Sequence, residues 1–313
     1  MATGFFLTRW TFEAMRWLYY NVTDNSVVLT IIISTILLKL ITLFSDVASR
    51  KHAVKTAHIQ PQIDKIQKKY KNDPKRAQQE QSKLMKSEGV GMLAGCLPML
   101  LMMPMFFCFI AAFRHWGYEQ MARVILELAE TGVSTQFDSF KFLWVNNVWQ
   151  PDSGVASVIM DAQAFLSTPN LSDLLFFKEN PAALETFRSL GFIVEDVKNI
   201  PAEAIAKYDQ LVAPIKAVYE GYSNGWFILP VLSAGTNYLM QLIMSKNQPQ
   251  TAKGGSGKMM LYMMPAMSFV FCLTNNSAFA IYWIISSMLS VGINLVLNKK
   301  YPRPEIQQEV QKK

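Results

Sequence analysis

Residues 26–44 read SVVLTIIISTILLKLITLF, a run of nineteen residues whose only charge is Lys39. About twenty apolar residues, at a rise of about 1.5 Å each, span a hydrocarbon core of about 30 Å. The run therefore predicts a membrane-spanning helix that carries an ammonium group. Such a group costs about 2.5–3.5 kcal/mol at a helix centre on insertion scales. Lys39 thus needs either polar surroundings within the protein or a route to the headgroups.

One face of this helix is polar over half of its length. Thr35, Lys39, Thr42 and Asp46 are spaced by four, three and four residues, which places them on a single helical stripe. The stripe lies only in the half that leads to residue 46. On this helix alone two interpretations stay open. Lys39 snorkels to the headgroups along its apolar stem, or it lines a functional site inside a helix bundle.

The composition indicates a polytopic helical membrane protein. The 313 residues are 51% hydrophobic with a net charge of +7, and the mean hydropathy is +0.15. Four further apolar runs follow the first, so the predicted fold is all-α with a five-helix transmembrane core. The predicted spans are residues 26–44, 93–113, 226–244, 259–274 and 278–297. Cys96, Cys108 and Cys272 lie within apolar runs and have no disulfide or metal-ligand spacing, so no cofactor or metal is expected.

Two predicted helical segments flank the first span. Residues 1–25 predict an amphipathic helix in the membrane interface, with Trp10 and Trp17 on its apolar face. Residues 45–90 carry eleven Lys and Arg against five Asp and Glu, and two apolar stripes predict a helical hairpin. Pro61 should bend or break its first arm, and Pro74 should begin the second. The basic face suits RNA or anionic lipid, although most such faces are merely solvated.

Charge asymmetry predicts the orientation. The 114–225 segment has fourteen acidic and eight basic residues, in contrast to the basic 45–90 hairpin. The positive-inside rule places the hairpin, the 245–258 linker and the 298–313 tail in the cytoplasm. The N-terminus is then outside, and 114–225 is an extracytoplasmic loop with a helical insertion. Within it, 181–190 and 201–220 should be helices that each open with a proline at N1.

Two more predicted spans carry polar stripes. The third span has Ser233, Asn237 and Gln241 at intervals of four. The fifth has Trp283, Ser287, Ser290 and Asn294 at steps of four, three and four. Simple helix packing explains any one such stripe. All three stripes lie in the predicted cytoplasmic half, however, and the second and fourth spans nearly lack polar groups. Together they predict a hydrophilic groove open to the cytoplasm, in which Lys39 is the only full charge.

In and around these predicted spans, the chain resembles the YidC family of membrane protein insertases, which is related to the Oxa and Alb3 proteins. The resemblance covers about residues 1–150 and 221–300. It is carried by LLKLITLF at 37–44, GVGMLAGCLPMLLMMPMFFCF at 89–109, ILPVLSAGTNYLMQ at 228–241, MMPAMSFVF at 263–271 and AFAIYWIISSMLS at 278–290. It implies a five-helix core, a cytoplasmic hairpin and a groove open to cytoplasm and lipid. It also implies an insertase or chaperone that catalyses no covalent reaction.

The resemblance also implies partners and a location. Nascent membrane proteins and the lipid bilayer are the expected partners, the Sec translocon and the ribosome remain candidates, and no specific DNA binding is expected. The expected location is the inner (cytoplasmic) membrane of a bacterium, since no transit peptide precedes the first helix. Three features depart from the family pattern. Lys39 replaces the groove arginine, Met102 stands where many relatives have glutamine, and residues 153–223 look like an insertion.

Other functional classes fit the sequence less well. A transporter or channel would need an inverted repeat or polar lining through both halves of the membrane, and neither pattern is present. An intramembrane enzyme would need a motif such as HExxH or GxSxG. The sequence has neither, and His52, His58 and His115 lie outside the predicted spans. The alternatives left open are a membrane assembly scaffold or chaperone without insertase activity, which is the harder to exclude, and a transporter without insertase activity.

Overall fold

A computed structural model describes the backbone of residues 6–90, 97–246 and 255–302, and the side chains of most of them. These residues form helices and connecting loops, which confirms the predicted all-α fold. Eleven α-helices lie in the described part: α1 Phe6–Asn21, α2 Val27–Lys69, α3 Pro74–Ser87, α4 Leu97–Thr131, α5 Ala162–Leu166, α6 Leu175–Glu179, α7 Pro181–Ser189, α8 Ala202–Val218, α9 Ile228–Lys246, α10 Gly255–Thr274 and α11 Ser277–Lys300.

The chain forms two compact units. The first unit is drawn from Met1–Ser34, Met105–Ser233 and Ser268–Ile284. The second unit is drawn from Thr35–Pro104, Ala234–Met267 and Ile285–Lys313. Each of the long helices α2, α4, α9, α10 and α11 therefore contributes residues to both units.

In the first unit, α1 packs on α4 through aromatic side chains. The Phe12 ring meets the His115 ring edge-on with their centroids 4.7 Å apart, and Tyr19 meets Trp116 at 5.4 Å. Arg16 donates two hydrogen bonds to the Glu179 carboxylate, at 2.7 and 3.0 Å, in the paired geometry that suits a guanidinium. These contacts leave the two tryptophans of α1 exposed, on the face that was predicted to lie in the membrane interface.

The helix α4 runs eighteen residues beyond the predicted end of the second span at residue 113. The prediction placed the boundary where the apolar run ends, but Arg114 carries no helix-stop signal. Residues 116–128 are buried on more than one side of the helix, and Trp116, Ile125 and Leu128 are among the buried side chains. The helix ends at Gly132, whose φ of +76° and N–H bond to the Leu128 carbonyl form a left-handed C-terminal cap.

The second unit contains the hairpin. Its first arm is not separate from the first predicted span, because α2 runs from Val27 to Lys69 and passes through Pro61. Pro61 therefore does not break the arm, and the other expectation, a bend at Pro61, stays a prediction. The second arm, α3, begins at Pro74 as predicted, and the Asp73 carboxylate accepts the Arg76 N–H at its N-cap. The arms share a core of Ile59, Ile63, Leu84, Met85 and Val90.

The predicted insertion is helical and has its own aromatic core within the first unit. Phe165, Phe187, Phe192 and Tyr208 are fully buried, with neighbouring ring centroids 5.6–6.4 Å apart. The helices α7 and α8 lie where they were predicted. Pro181 is at the start of α7 as expected, but Pro201 is the N-cap of α8 rather than its first residue. The five-residue helices α5 and α6 were missed, because runs this short have no readable periodicity.

Candidate functional site

Between residues 35 and 44, the helix α2 has polar side chains turned inward and apolar side chains turned outward. Thr35 and Lys39 are 2% and 8% exposed. Leu40, Ile41 and Phe44, on the other side, are 62–75% exposed. This is the reverse of a water-soluble helix, and it is the arrangement expected of a helix whose outer surface meets lipid. Burial of Lys39 within the protein argues against a lysine that snorkels along a lipid-facing surface.

The Lys39 ammonium has a carboxylate partner on its own helix. Its Nζ lies 3.1 Å from Oδ2 of Asp46, two helical turns further along the chain. The lysine side chain is 9% exposed and the aspartate side chain 25%. The expectation that Lys39 is the only full charge at the site is therefore wrong. Thr42, between them, directs its hydroxyl to the Lys39 carbonyl at 3.3 Å.

Two of the predicted polar lines meet in the second unit. Asn237 of α9 donates an amide hydrogen bond to the Ser287 hydroxyl of α11 at 3.3 Å. Both side chains are buried, as is Gln241 one turn beyond Asn237. Leu239 and Met244 on α9 and Met288 on α11 are exposed. The inward-polar arrangement of α2 therefore recurs in both helices.

The remaining members of the stripes have other partners. Ser290 donates to the Ser286 carbonyl and Asn294 donates to the Ser290 carbonyl, both at 2.8 Å within α11. Trp283 belongs to the first unit, where its ring lies 5.6 Å from that of Phe279.

Ser233 also belongs to the first unit, although it continues the α9 stripe. Its hydroxyl hydrogen-bonds to that of Ser268, and the Cys272 thiol donates to it at 3.1 Å. Both partners lie in α10, so the fourth predicted span, which nearly lacks polar groups, contributes the Ser268 hydroxyl to this contact. The single serine in MMPAMSFVF was the available signal for this contact.

Sequence reasoning also missed Arg50. Its guanidinium is buried in the second unit and donates two hydrogen bonds, at 3.1 and 2.8 Å, to the Tyr301 carbonyl just after α11. An arginine at a helix C-terminus satisfies a carbonyl that lacks an intrahelical donor. This contact joins α2 to the end of α11. The Met102 side chain lies outside the described residues, as do residues 91–96, which include the LAGC motif.

The described residues contain no group of three or more His, Cys, Asp or Glu arranged to hold a metal ion. Two helices among them are long and apolar enough to cross a membrane, Val27–Lys69 and Ser277–Lys300. Ile228–Met244 and Leu261–Thr274 are shorter apolar helices. The five-span count and the orientation of the termini stay predictions.

Known proteins resemble this chain over most of its length. The family model described as 60Kd inner membrane protein matches residues 17–304. A protein of Clostridium perfringens, named membrane protein insertase YidC, is 27% identical over 84% of this chain and 75% of its own length. The YidC insertase of Chlorobium luteolum is 27% identical over 91% of this chain but only 35% of its own length.

A third relative, the YidC insertase of Clostridium tetani, is 36% identical over 44% of this chain and 54% of its own length. These relatives are named for membrane insertion and not for a covalent reaction, in agreement with the expectation that the protein is not an enzyme. The match over residues 17–304 shows that the chain belongs to the 60Kd inner membrane protein family, the family of the YidC insertases.

Proposed function

We propose that this protein is a membrane protein insertase that lowers polar segments of nascent membrane proteins into the bilayer at the buried polar faces of α2, α9 and α11. The observation that carries the proposal is the inverted polarity of these helices. Lys39, Asn237 and Gln241 are each less than 9% exposed, whereas apolar side chains of the same helices are exposed. Polar side chains at membrane depth that face the protein interior typically mark a functional pathway.

The proposed mechanism reduces a desolvation barrier. A client presents a short polar segment, often acidic, beside an apolar one. Moving an unpaired amide or hydroxyl out of water costs several kcal/mol, on the order of 2–7 depending on the reference state. Asn237, Gln241, Ser287 and Thr35 supply replacement hydrogen bonds, and Lys39 attracts acidic groups. The apolar segment meanwhile moves into lipid along α9 and α11.

The charge at this site predicts client preference. Clients whose translocated segment carries a small number of acidic residues should be inserted better than clients with strongly basic segments. The reason is that Lys39 attracts carboxylates and repels ammonium and guanidinium groups. Lys39 keeps the positive charge of the arginine that the family resemblance implies at this position. Lysine lacks the planar guanidinium group, however, and binds a carboxylate as a point charge. Nascent chains and lipid are the proposed partners. The translocon and the ribosome remain candidates.

The test is a charge reversal with a matched control. Lys39→Glu should abolish insertion of a client with an acidic translocated tail when it is the only insertase in a depleted strain. Lys55→Glu makes the same change at an exposed position of α2 and should leave insertion close to that of the unaltered protein. Undiminished insertion by the Lys39→Glu variant would remove the buried charge from the mechanism.

A scaffold that assembles membrane proteins without inserting them is the competing function. Purified protein in liposomes, supplied with one single-span client, separates the two. An insertase should place the client across the bilayer, so that its tail becomes protected from added protease. A scaffold would leave the client fully accessible.

A further inference from the structure

We infer that Asp46 is a resident counterion of Lys39, which a client carboxylate must displace and which returns when the client leaves. The inference rests on the proposed function. It adds a residue that determines which clients bind and how they are released. It starts from the ion pair between the Lys39 ammonium and the Asp46 carboxylate, at 3.1 Å.

The helix geometry explains why these two residues pair. Seven residues make almost two turns, so Lys39 and Asp46 lie on the same face with their Cα atoms about 10.5 Å apart along the axis. An extended lysine and a short aspartate together bridge that distance. The lysine therefore extends toward the C-terminal end of α2, although side chains on a helix by default lean toward its N-terminus. Its orientation is set by the carboxylate.

The pair is electrically neutral, and this changes what an approaching client meets. A buried ammonium without a partner is strongly destabilising, and a close carboxylate offsets much of that penalty. The pair attracts a distant acidic group much less than a free ammonium would, because the two charges oppose each other. An acidic segment gains its full interaction with Lys39 only by taking the place of Asp46.

The burial of the two side chains makes such an exchange feasible. The Lys39 side chain is 9% exposed, whereas the Asp46 side chain is 25% exposed and therefore has better access to solvent. When displaced, the Asp46 carboxylate can rotate toward water at little cost. One ion pair then forms as another breaks, so the exchange is nearly balanced. A client held nearby by its apolar segment has a high effective concentration, so its carboxylate displaces that of Asp46 from Lys39. A free anion lacks this advantage and does not displace it.

Release follows from the same balance. Once the acidic segment has left, the Asp46 carboxylate pairs with the Lys39 ammonium again, and the next client carboxylate must displace it in turn. Without Asp46, Lys39 would hold the client carboxylate longer, because nothing competes for the ammonium. Asp46→Asn should therefore strengthen binding of acidic segments while slowing multiple rounds of insertion.

The experiment measures how long a client stays bound to the reconstituted protein in liposomes. Two single-span clients are used, identical except that the translocated segment carries aspartates in one and asparagines in the other. Asp46→Asn should lengthen the bound lifetime of the acidic client by about fivefold or more, as expected for loss of a competing charge. The lifetime of the neutral client should stay unchanged.

Two further variants separate an exchange from a general disturbance. In a Lys39→Met background, Asp46→Asn should have no effect on the acidic client, because the ammonium for which it competes is gone. Lys39→Arg with Asp46→Asn keeps a charge that cannot lose its proton and should again prolong binding. An unchanged lifetime of the acidic client in both Asp46→Asn and the arginine double variant would overturn the inference. Failure of the unaltered protein to insert either client would instead overturn the proposed function.

Discussion

At the residue scale, the Lys39 ammonium and the Asp46 carboxylate form an ion pair of 3.1 Å on one face of α2. Spacing placed both residues on one stripe, and the apolar run around Lys39 made it a candidate site residue. The pairing itself could not be predicted, because it depends on the direction of one flexible side chain. The same holds for Arg50, whose bonds to the Tyr301 carbonyl join residues 251 positions apart.

His115 gives a prediction at this scale. Burial, reinforced by the charges of Arg16 and Lys178, lowers the pKa of His115 to about 4 from 6.5. The folded state therefore disfavours the protonated ring that the unfolded chain forms more readily. The free energy of unfolding is therefore highest, with respect to this group, above pH 6.5, where His115 is neutral in both states. It decreases as the pH falls from 6.5 toward 4. The loss should reach about 3 kcal/mol at most.

The measurement is the thermal unfolding midpoint in detergent between pH 7 and pH 4. His115→Phe should flatten the decline across this range, because a phenyl ring keeps the edge-on contact with Phe12 but does not titrate. His58→Phe, at an exposed histidine of α2, should leave the decline as it is in the unaltered protein. Identical pH profiles for the unaltered protein and His115→Phe would show that protonation of His115 does not cause the loss of stability at low pH.

At the scale of elements, apolar runs and turn signals predicted most of the helices. They predicted α1, α3, α7 and α8 and the apolar parts of α2, α4, α9, α10 and α11. Boundaries were less predictable, since α2 and α4 continue into polar sequence for which packing against other elements supplies the stability. The sequence between α4 and α9 was the least predictable, because its order depends on long-range capping bonds.

Asp152 is the clearest case of such capping. It is fully buried, and its carboxylate accepts the backbone N–H groups of Trp226, Phe227 and Leu229 at 2.6–3.1 Å, around the start of α9. It also accepts the Trp144 indole N–H at 3.0 Å. Gly225 gives the carboxylate its room, since a Cβ there would lie 2.0 Å from Asp152 Oδ1. One side chain therefore caps the first residues of a helix that carries the proposed site.

Asp152→Ala should lower the free energy of unfolding by about 2–4 kcal/mol, because it removes a helix cap and leaves buried N–H groups without acceptors. Unfolding by SDS in mixed micelles measures this change. Asp196→Ala is the control, since Asp196 makes similar local bonds in an exposed loop and should cost less than about 1 kcal/mol. Equal losses for the two variants would show that Asp152 has no special capping role.

At the scale of the whole molecule, the sequence predicted a bundle of apolar helices with polar lines turned inward, and its motifs identified the family. The meeting of Asn237 with Ser287 agrees with two of those lines facing each other. Ser233 and Trp283 belong to the first unit, so their place beside those lines stays a prediction. Spacing along a helix predicts which residues share a face, but which neighbour that face meets depends on how helices distant in sequence pack.

The central claim is that the buried polar faces of α2, α9 and α11 receive the polar segment of a client. The most direct measurement places a photoreactive residue in the acidic segment of a stalled client and maps its adducts by mass spectrometry. Adducts are expected at the buried positions Asn237, Gln241 and Ser287. Adducts confined to the exposed apolar positions Leu40, Ile41 and Phe44 of α2, or the absence of any adduct to this protein, would contradict the central claim.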